Sequence, residues 1–292
     1  MSSPTATLRL PAGLTNPGVF FACCGLFEIL SQNSSGALAW FEDGGDFCAY
    51  EPAAQSLDLV CKHVRDNPPA NMMTEAERQR REALGALPKQ EREANAALKQ
   101  EKKDLDALWR ESPVTFGGEQ GLIIDWFADE SSGGSRFKTW AGQQSVLDIA
   151  TAMHQGFCAL PIIEPRDLWL SVTDIGLPFN FDSDLGAQGS PLDIGFSTDP
   201  LAANKATRLR TTSRPALELL AFIGLQRFRP RQGDRGGVFE FTAWSEPMPA
   251  PIAAMIANGT LGVAQGPTYS FRLLYRTDYL KSFLPATPSR LP

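Results

Sequence analysis

The order of predicted elements indicates a mixed α+β fold with a ferredoxin-like (RRM-type) core that carries insertions. Residues 5–66 follow the order β-α-β-β-α, and an apolar run at 122–127 provides the further strand that such a core needs. The chain shows no regular βαβ repeat. We therefore predict an α+β body, residues 1–70 and 112–292, interrupted by a charged helical hairpin at 71–111.

The first predicted helix is apolar over most of its surface. It follows an alternating strand at 5–10, and Asn16 and Pro17 suit the N-cap and first helical position of a helix over 19–31. A helix with apolar residues on all sides is buried. We therefore expect this helix to be buried.

The next elements are a hairpin and a second helix. Strands at 37–42 and 46–51 flank the turn Asp43-Gly44-Gly45, and apolar positions repeat at helical spacing over 55–65. These elements complete the β-α-β-β-α order.

The insertion is highly charged and has few apolar positions. Residues 74–111 contain nine Lys and Arg against nine Asp and Glu, and Thr74 with Glu77 fits a capping box. Gly85 and Pro88 interrupt the helical pattern near its middle. The pattern predicts a helical arm with two helices that projects from the body and is solvated or contacts a partner.

The second half alternates between helices, strands and long loops. Residues 177–199, rich in Gly, Ser, Asp and Pro, are typical of strands joined by irregular loops. The elements predicted here are helices at 145–153, 216–226 and 251–258 and strands at 168–174, 238–245 and 268–279.

The charge divides unevenly along the chain. Residues 1–200 carry 15 Lys and Arg against 28 Asp and Glu, a net of −13, whereas residues 201–292 carry 12 against 5, a net of +7. Seven of eight cations within 205–235 are arginines, which suit bidentate contacts to phosphate. Binding of a polyanion and pairing with the acidic half of the same chain are equally good explanations. The eight are Lys205, Arg208, Arg210, Arg214, Arg227, Arg229, Arg231 and Arg235.

A glycine-containing stretch at 133–144 combines cations with aromatic residues. It follows a predicted strand and precedes a predicted helix, and its glycines let the backbone approach a phosphate closely. Arg136 and Lys138 can neutralise phosphates, and Trp140 can stack on a base. A β–α turn with core aromatics and solvated cations is the simpler alternative. The candidate nucleic-acid contacts here are Ser135, Arg136, Lys138, Trp140, Gln143 and Gln144.

Patterns typical of catalysis, cofactor binding or metal binding are missing from the sequence. The two histidines, His63 and His154, lie in predicted helices outside any metal-binding spacing, and nucleotide-binding and nucleophile-elbow motifs are absent. The acidic residues Asp182, Asp184 and Asp193 suit a hard cation but fit a surface loop more simply. Five cysteines and no apolar run of membrane-spanning length predict free thiols in the cytoplasm. We expect no catalytic residue, no cofactor and no metal.

Three stretches together resemble the large-subunit-like proteins of type I-U (also called I-G) CRISPR–Cas effector complexes. They are Asn16-Pro17-Gly18-Val19-Phe20-Phe21-Ala22-Cys23-Cys24-Gly25-Leu26, Gly134-Ser135-Arg136-Phe137-Lys138-Thr139-Trp140-Ala141-Gly142-Gln143-Gln144, and Phe179-Asn180-Phe181-Asp182 with Asp193-Ile194-Gly195-Phe196-Ser197.

The resemblance implies a non-catalytic subunit of a Cascade surveillance complex. Its implied partners are CRISPR guide RNA, target double-stranded DNA, RAMP-type subunits and a helicase–nuclease. In such complexes RNA pairing reads the target, while protein reads a short PAM and holds the backbone. The resemblance further implies PAM-side contact, and Gln143 and Gln144 would suit base edges.

Three alternatives remain open on the sequence. The first is a RAMP-like subunit that grips only guide RNA, which the β-α-β-β-α order favours. The second is a cytoplasmic enzyme whose small anionic substrate is held by Arg136 and Lys138. The third is a scaffold whose partners bind the 74–111 arm, so that deleting the arm would abolish assembly without changing nucleic-acid affinity.

Overall fold

The computed structural model describes residues 4–112, 114–117, 121–124, 146–173, 181–186, 212–233, 237–261, 266–276 and 279–289. Within these ranges the chain is a mixed α+β structure with ten helices and three small antiparallel sheets. No helix of this part is long and apolar enough to cross a membrane.

The strands and helices follow the predicted order over the first 66 residues. The strands are β1 (Leu8–Pro11), β2 (Leu38–Phe41), β3 (Asp46–Tyr50), β4 (Ala70–Asn71), β5 (Val114–Phe116), β6 (Leu122–Ile124), β7 (Arg231–Gln232), β8 (Val238–Thr242), β9 (Thr268–Arg276), β10 (Tyr279–Phe283) and β11 (Thr287–Pro288). The helices are α1 (Pro17–Asn33), α2 (Ser56–Asp66), α3 (Glu75–Ala86), α4 (Lys89–Ala94), α5 (Ala96–Glu111), α6 (Val146–Cys158), α7 (Asp167–Leu170), α8 (Ser183–Gly186), α9 (Pro215–Arg227) and α10 (Ala250–Ala257).

The first sheet has the order β1-β3-β2, and β3 is antiparallel to both neighbours. Because α1 connects β1 to β2, these elements form a split βαβ unit. The apolar run at 122–127, expected to extend this sheet, begins with β6, which instead pairs with β5. The described β4, β5 and β6 form a separate sheet in the order β4-β5-β6.

Helix α1 lies at the centre of the core and is buried, as its apolar surface predicts. Its residues from Pro17 to Leu30 are buried. The ring of Phe20 stacks on Phe41 of β2 and on Phe241 of β8, at centroid distances of 5.4 and 4.1 Å. Helix α1 therefore joins the first sheet to the sheet β10-β9-β8-β7, in which β11 also pairs with β9.

Helix α9 packs directly against α1, and glycines allow the close approach. A Cβ atom built on Gly25 would lie 1.8 Å from the carbonyl oxygen of Leu220, and one on Gly224 would lie 2.0 Å from that of Phe21. Only a residue without a side chain fits at either position, so the two glycines set the helix separation.

The insertion forms three helical segments rather than the predicted two. Helix α3 has the expected Thr74–Glu77 capping box, and the chain bends between Ala86 and Lys89 as Gly85 and Pro88 predict. A second break occurs at Asn95, whose side chain accepts the backbone N–H groups of Ala97 and Leu98 and so begins α5.

The strand predicted at 168–174 is wrong in its first half, where the structure has the short helix α7. One carboxylate oxygen of Asp167 accepts the backbone N–H groups of Ile163 and Glu164, each at 2.8 Å. This local hydrogen bonding holds the turn before α7 and outweighs the β preference of the apolar residues.

Candidate nucleic-acid interface

Three of the arginines predicted to contact nucleic acid lie where α9 leads into β7. Arg227 ends α9, Arg229 follows it, and Arg231 begins β7. All three are exposed. Phe228 and Pro230 between them are buried, so burial alternates along this segment and the three arginines lie on its solvent side.

Each arginine of this region also contacts a group of the same chain. Arg227 forms an ion pair with Glu28, and Arg231 donates to one carboxylate oxygen of Glu240 through Nε at 2.9 Å and a terminal nitrogen at 2.6 Å. Arg229 donates through Nε to a backbone oxygen, at 3.0 Å. Arg214 lies 3.3 Å from an Asp182 carboxylate oxygen.

These ion pairs help to decide between the two explanations of the cations at 205–235, namely binding of a polyanion and pairing with the acidic half of the same chain. The partners of Arg214 and Arg227, namely Asp182 and Glu28, belong to the acidic half of the chain and are both fully buried. Pairing within the chain therefore accounts for these two arginines. Arg231, whose side chain is 54% exposed, remains accessible to a polyanion.

The other predicted nucleic-acid contacts lie outside the described residues, and their role stays a prediction. They are Ser135, Arg136, Lys138, Trp140, Gln143, Gln144, Lys205, Arg208, Arg210 and Arg235.

A buried polar cluster joins two of the stretches that carry the family resemblance. Asn16 donates through Nδ2 to Oδ1 of Asp182 at 2.7 Å, and its own Oδ1 accepts the backbone N–H groups of Gly18 and Ser183. A Cβ on Gly18 would lie 2.4 Å from the carbonyl oxygen of Phe181. The segment that contains Asp182 is therefore held tightly against the start of α1.

Glu218 of α9 holds the same segment from the other side. Its two carboxylate oxygens accept the backbone N–H groups of Phe181, at 2.7 Å, and Asp182, at 3.2 Å. Burial, and secondarily the negative charge of Asp182, raises the pKa of Glu218 well above its usual range. Burial also raises the pKa of Asp182, against the opposing effect of Arg214.

The cation site considered for Asp182, Asp184 and Asp193 has no support among the described residues. Arg214 lies between the first two, 3.3 Å from a carboxylate oxygen of Asp182 and 3.7 Å from one of Asp184, and Asp193 is outside the described ranges. No group of three metal-ligating side chains comes together in this part of the chain.

The raised pKa of Glu218 predicts that this residue contributes stability that increases as the pH falls through its folded pKa towards the ordinary value of 4.5. Folded Glu218 binds a proton at pH values where the unfolded chain has released it, since the ordinary pKa is 4.5. Stability is therefore lost as the pH rises through the folded pKa. Urea unfolding at a series of pH values measures this slope, and Glu218→Gln should flatten it. An equal slope in both proteins would contradict the prediction.

An open cleft of about 550 Å³ lies between the β1–α1 loop, the β2–β3 hairpin and the segment that follows β8. The charged side chains that line it are Glu42, Asp43 and Asp46, while Tyr269 supplies aromatic surface. Arg9 outside the cleft pairs with Glu42 and Asp46. An acidic lining repels phosphate and other anions, so this cleft does not suit the small anionic substrate of the enzyme alternative.

The five cysteines include one, Cys158, that lies beside His154. All five cysteines are free, and burial raises the pKa of each thiol, to about 12 at Cys48. The Cys158 sulfur lies 3.6 Å from Nε2 of His154, but this nitrogen also lies 2.8 Å from the carbonyl oxygen of Val64. When Nε2 carries a proton that it donates to Val64, the unprotonated Nδ1 of His154 lies 3.9 Å from the Cys158 sulfur.

The sequence reasoning missed the importance of Glu28 and Glu218. Both are fully buried in helices that are otherwise apolar. A carboxylate in such a helix needs a partner, and that pattern was visible in the sequence. The identity of the partners was not, because Arg227 is 199 residues from Glu28 along the chain.

No protein-family model matches this chain, and no curated protein is significantly similar to it in sequence.

Proposed function

We propose that this chain is a non-catalytic subunit of a type I CRISPR Cascade surveillance complex in the cytoplasm, in contact with guide RNA, target DNA or both. Its tasks would be recognition of the duplex on the PAM side, support of the R-loop and recruitment of the helicase–nuclease. RAMP-type subunits of the same complex would be its protein partners. The proposal rests on the resemblance of three sequence stretches.

One observation carries the proposal beyond sequence likeness. Two of the three stretches, which are more than 150 residues apart in the chain, meet at the 2.7 Å hydrogen bond between Asn16 and Asp182. Gly18 and Phe181, from the same two stretches, are in backbone contact. These two stretches therefore belong to one structural unit, which supports a shared fold rather than two unrelated similarities, and the third stretch, 134–144, lies outside the described residues.

The alternative of a RAMP-like subunit that grips only guide RNA is favoured by the first sheet. The connectivity β1-α1-β2-β3 and the order β1-β3-β2 are those of the first half of a ferredoxin-like core. We infer that such a core, completed by a further strand, underlies this part of the chain. Binding to PAM-containing duplex separates the two proposals, because a subunit that grips only guide RNA would not bind the duplex.

Co-purification tests the proposal. The tagged chain is expressed with its operon neighbours and a CRISPR array, and we expect it to elute in a ribonucleoprotein with guide RNA and RAMP-type subunits. In that complex, Arg136→Ala with Lys138→Ala should weaken target binding and flatten its logarithmic salt dependence by up to about two units, at about 0.9 per phosphate contact. A monomer without RNA would overturn the proposal. An unchanged slope would overturn only the assignment of the 133–144 stretch.

A further inference from the structure

The outer face of the sheet β7-β8-β9 carries a row of polar side chains. Residues on each strand alternate between the two faces, and the aligned pairs Phe239–Phe271 and Phe241–Tyr269 belong to the core side. The intervening pairs are polar or small. On this outer face lie Arg231, Val238, Glu240, Thr242, Thr268, Ser270 and Arg272.

Hydrogen bonds connect these polar side chains across the strands. Arg231 donates twice to Oε2 of Glu240, and Ser270 donates to Oε1 of Glu240 at 3.3 Å. The hydroxyl of Ser270 also lies 2.6 Å from that of Ser289, which follows β11. The row is therefore ordered by its own contacts before any ligand arrives, which lowers the entropy cost of binding.

Two cations mark the opposite sides of this row. Arg272 on β9 is exposed, and Arg231 on β7 is 54% exposed. Their Cα atoms are separated by two strand spacings of about 4.8 Å and a two-residue rise of about 6.8 Å, or about 12 Å in all. Both arginines belong to residues 201–292, where the net charge is +7. Two exposed guanidinium groups on one face are complementary to a partner with repeated negative charge, such as a nucleic-acid backbone.

The polar groups between the arginines indicate which polyanion. Ser270 donates its hydroxyl hydrogen to Glu240, so Ser289 donates to Ser270 in the 2.6 Å pair, and the hydroxyl oxygen of Ser289 can accept a hydrogen bond such as one from a ribose 2′-OH. The outer-face residues named above include no aromatic ring. Hydroxyls and arginines together are the groups that bind sugar and phosphate without reading sequence.

We propose that the outer face of β7-β8-β9 binds the ribose–phosphate backbone of single-stranded RNA through Arg231, Arg272 and the Ser270–Ser289 hydroxyl pair. The inference rests on the proposed function and names the RNA-binding surface of the chain. Glu240 weakens RNA binding in this arrangement, because its carboxylate competes with phosphate for the Arg231 guanidinium.

The test measures binding of the full chain to a single-stranded RNA oligonucleotide of mixed sequence, and to DNA of the same sequence, by fluorescence anisotropy at several salt concentrations. Arg231→Ala with Arg272→Ala should reduce the logarithmic salt slope by about 1.4, or about 0.7 for each phosphate contact on a single strand. Arg9→Ala is the matched control, because Arg9 is also an exposed arginine paired with carboxylates on a sheet. It should leave the slope unchanged.

Two further variants test the chemistry of the row. Glu240→Gln should tighten RNA binding, since Arg231 loses its charged competitor, and Ser270→Ala should lower the preference for RNA over DNA while thermal unfolding stays cooperative. An unaltered slope in the double arginine variant, or no binding of RNA by the wild-type chain, would overturn the inference. If guide RNA nevertheless co-purifies with the assembled complex, the proposed function stands and only this surface is refuted.

Discussion

Replacing Gly224 by Ala should destabilise the protein by about 3 kcal/mol, although alanine is the better helix former by about 1 kcal/mol. The new Cβ would lie 2.0 Å from the carbonyl oxygen of Phe21 and 2.6 Å from the backbone nitrogen of Gly25. These contacts involve backbone of α1, which cannot rotate away as a side chain can. Relief requires α1 and α9 to separate at the centre of the core, and that cost exceeds the gain in propensity.

Urea unfolding followed by circular dichroism measures the effect. Gly13→Ala is the matched control, because a Cβ there has no neighbour within 4 Å, so its change should stay within about 0.5 kcal/mol. Gly25→Ala should resemble Gly224→Ala, and the double variant should cost less than the two single changes added together, since one separation of the helices admits both methyl groups. A stable Gly224→Ala protein would show that the helices can move apart without loss.

Replacing Arg227 by Ala should destabilise the protein by about 3 kcal/mol, because the buried carboxylate of Glu28 loses its charged partner. Glu28 is fully buried, and Arg227 donates to both oxygens of its carboxylate. The bond from a terminal nitrogen of Arg227 to Oε1 of Glu28 is 2.9 Å long. Among the described residues, Gln32 then remains as a side-chain donor to the carboxylate, at 3.1 Å. The arginine side chain is 40% exposed, which places the effect at the low end of the range of about 3–5 kcal/mol for buried pairs.

A double-mutant cycle with Glu28→Gln separates the ion pair from the packing of the arginine chain. Arg227→Ala should cost much less in the Glu28→Gln background, where no charge is left behind. Arg231→Ala is the matched control, because its partner Glu240 is 19% exposed and is also bonded to Ser270. Equal effects of Arg227→Ala in both backgrounds would mean that Glu28 does not depend on the arginine. The result also matters for binding studies, since Arg227 variants would lose stability as well as charge.

Much of the local structure was predictable because it depends on neighbours in the chain. Helix α1 begins at Asn16 and Pro17 as expected, and the capping box at Thr74 is present. The strand predicted at 168–174 was wrong in its first half because Asp167 satisfies two backbone donors locally. Apolar composition alone does not reveal such a competitor. The apolar run at 122–127 was predicted to extend the sheet β1-β3-β2, but its strand β6 pairs with β5 instead. Nothing in the sequence of β6 indicates which strand it pairs with.

The amino-acid sequence was sufficient to locate the helices and strands of the first 66 residues, to identify α1 as a buried helix and to show how charge divides along the chain. These properties depend on residue type, periodicity and short spacing, which are all local. Only the tertiary structure decided that Glu28 pairs with Arg227, that Asn16 meets Asp182, and that Arg231 and Arg272 share one face. Each of these joins residues on separate elements, and their contact depends on how the whole chain packs, which no local pattern specifies.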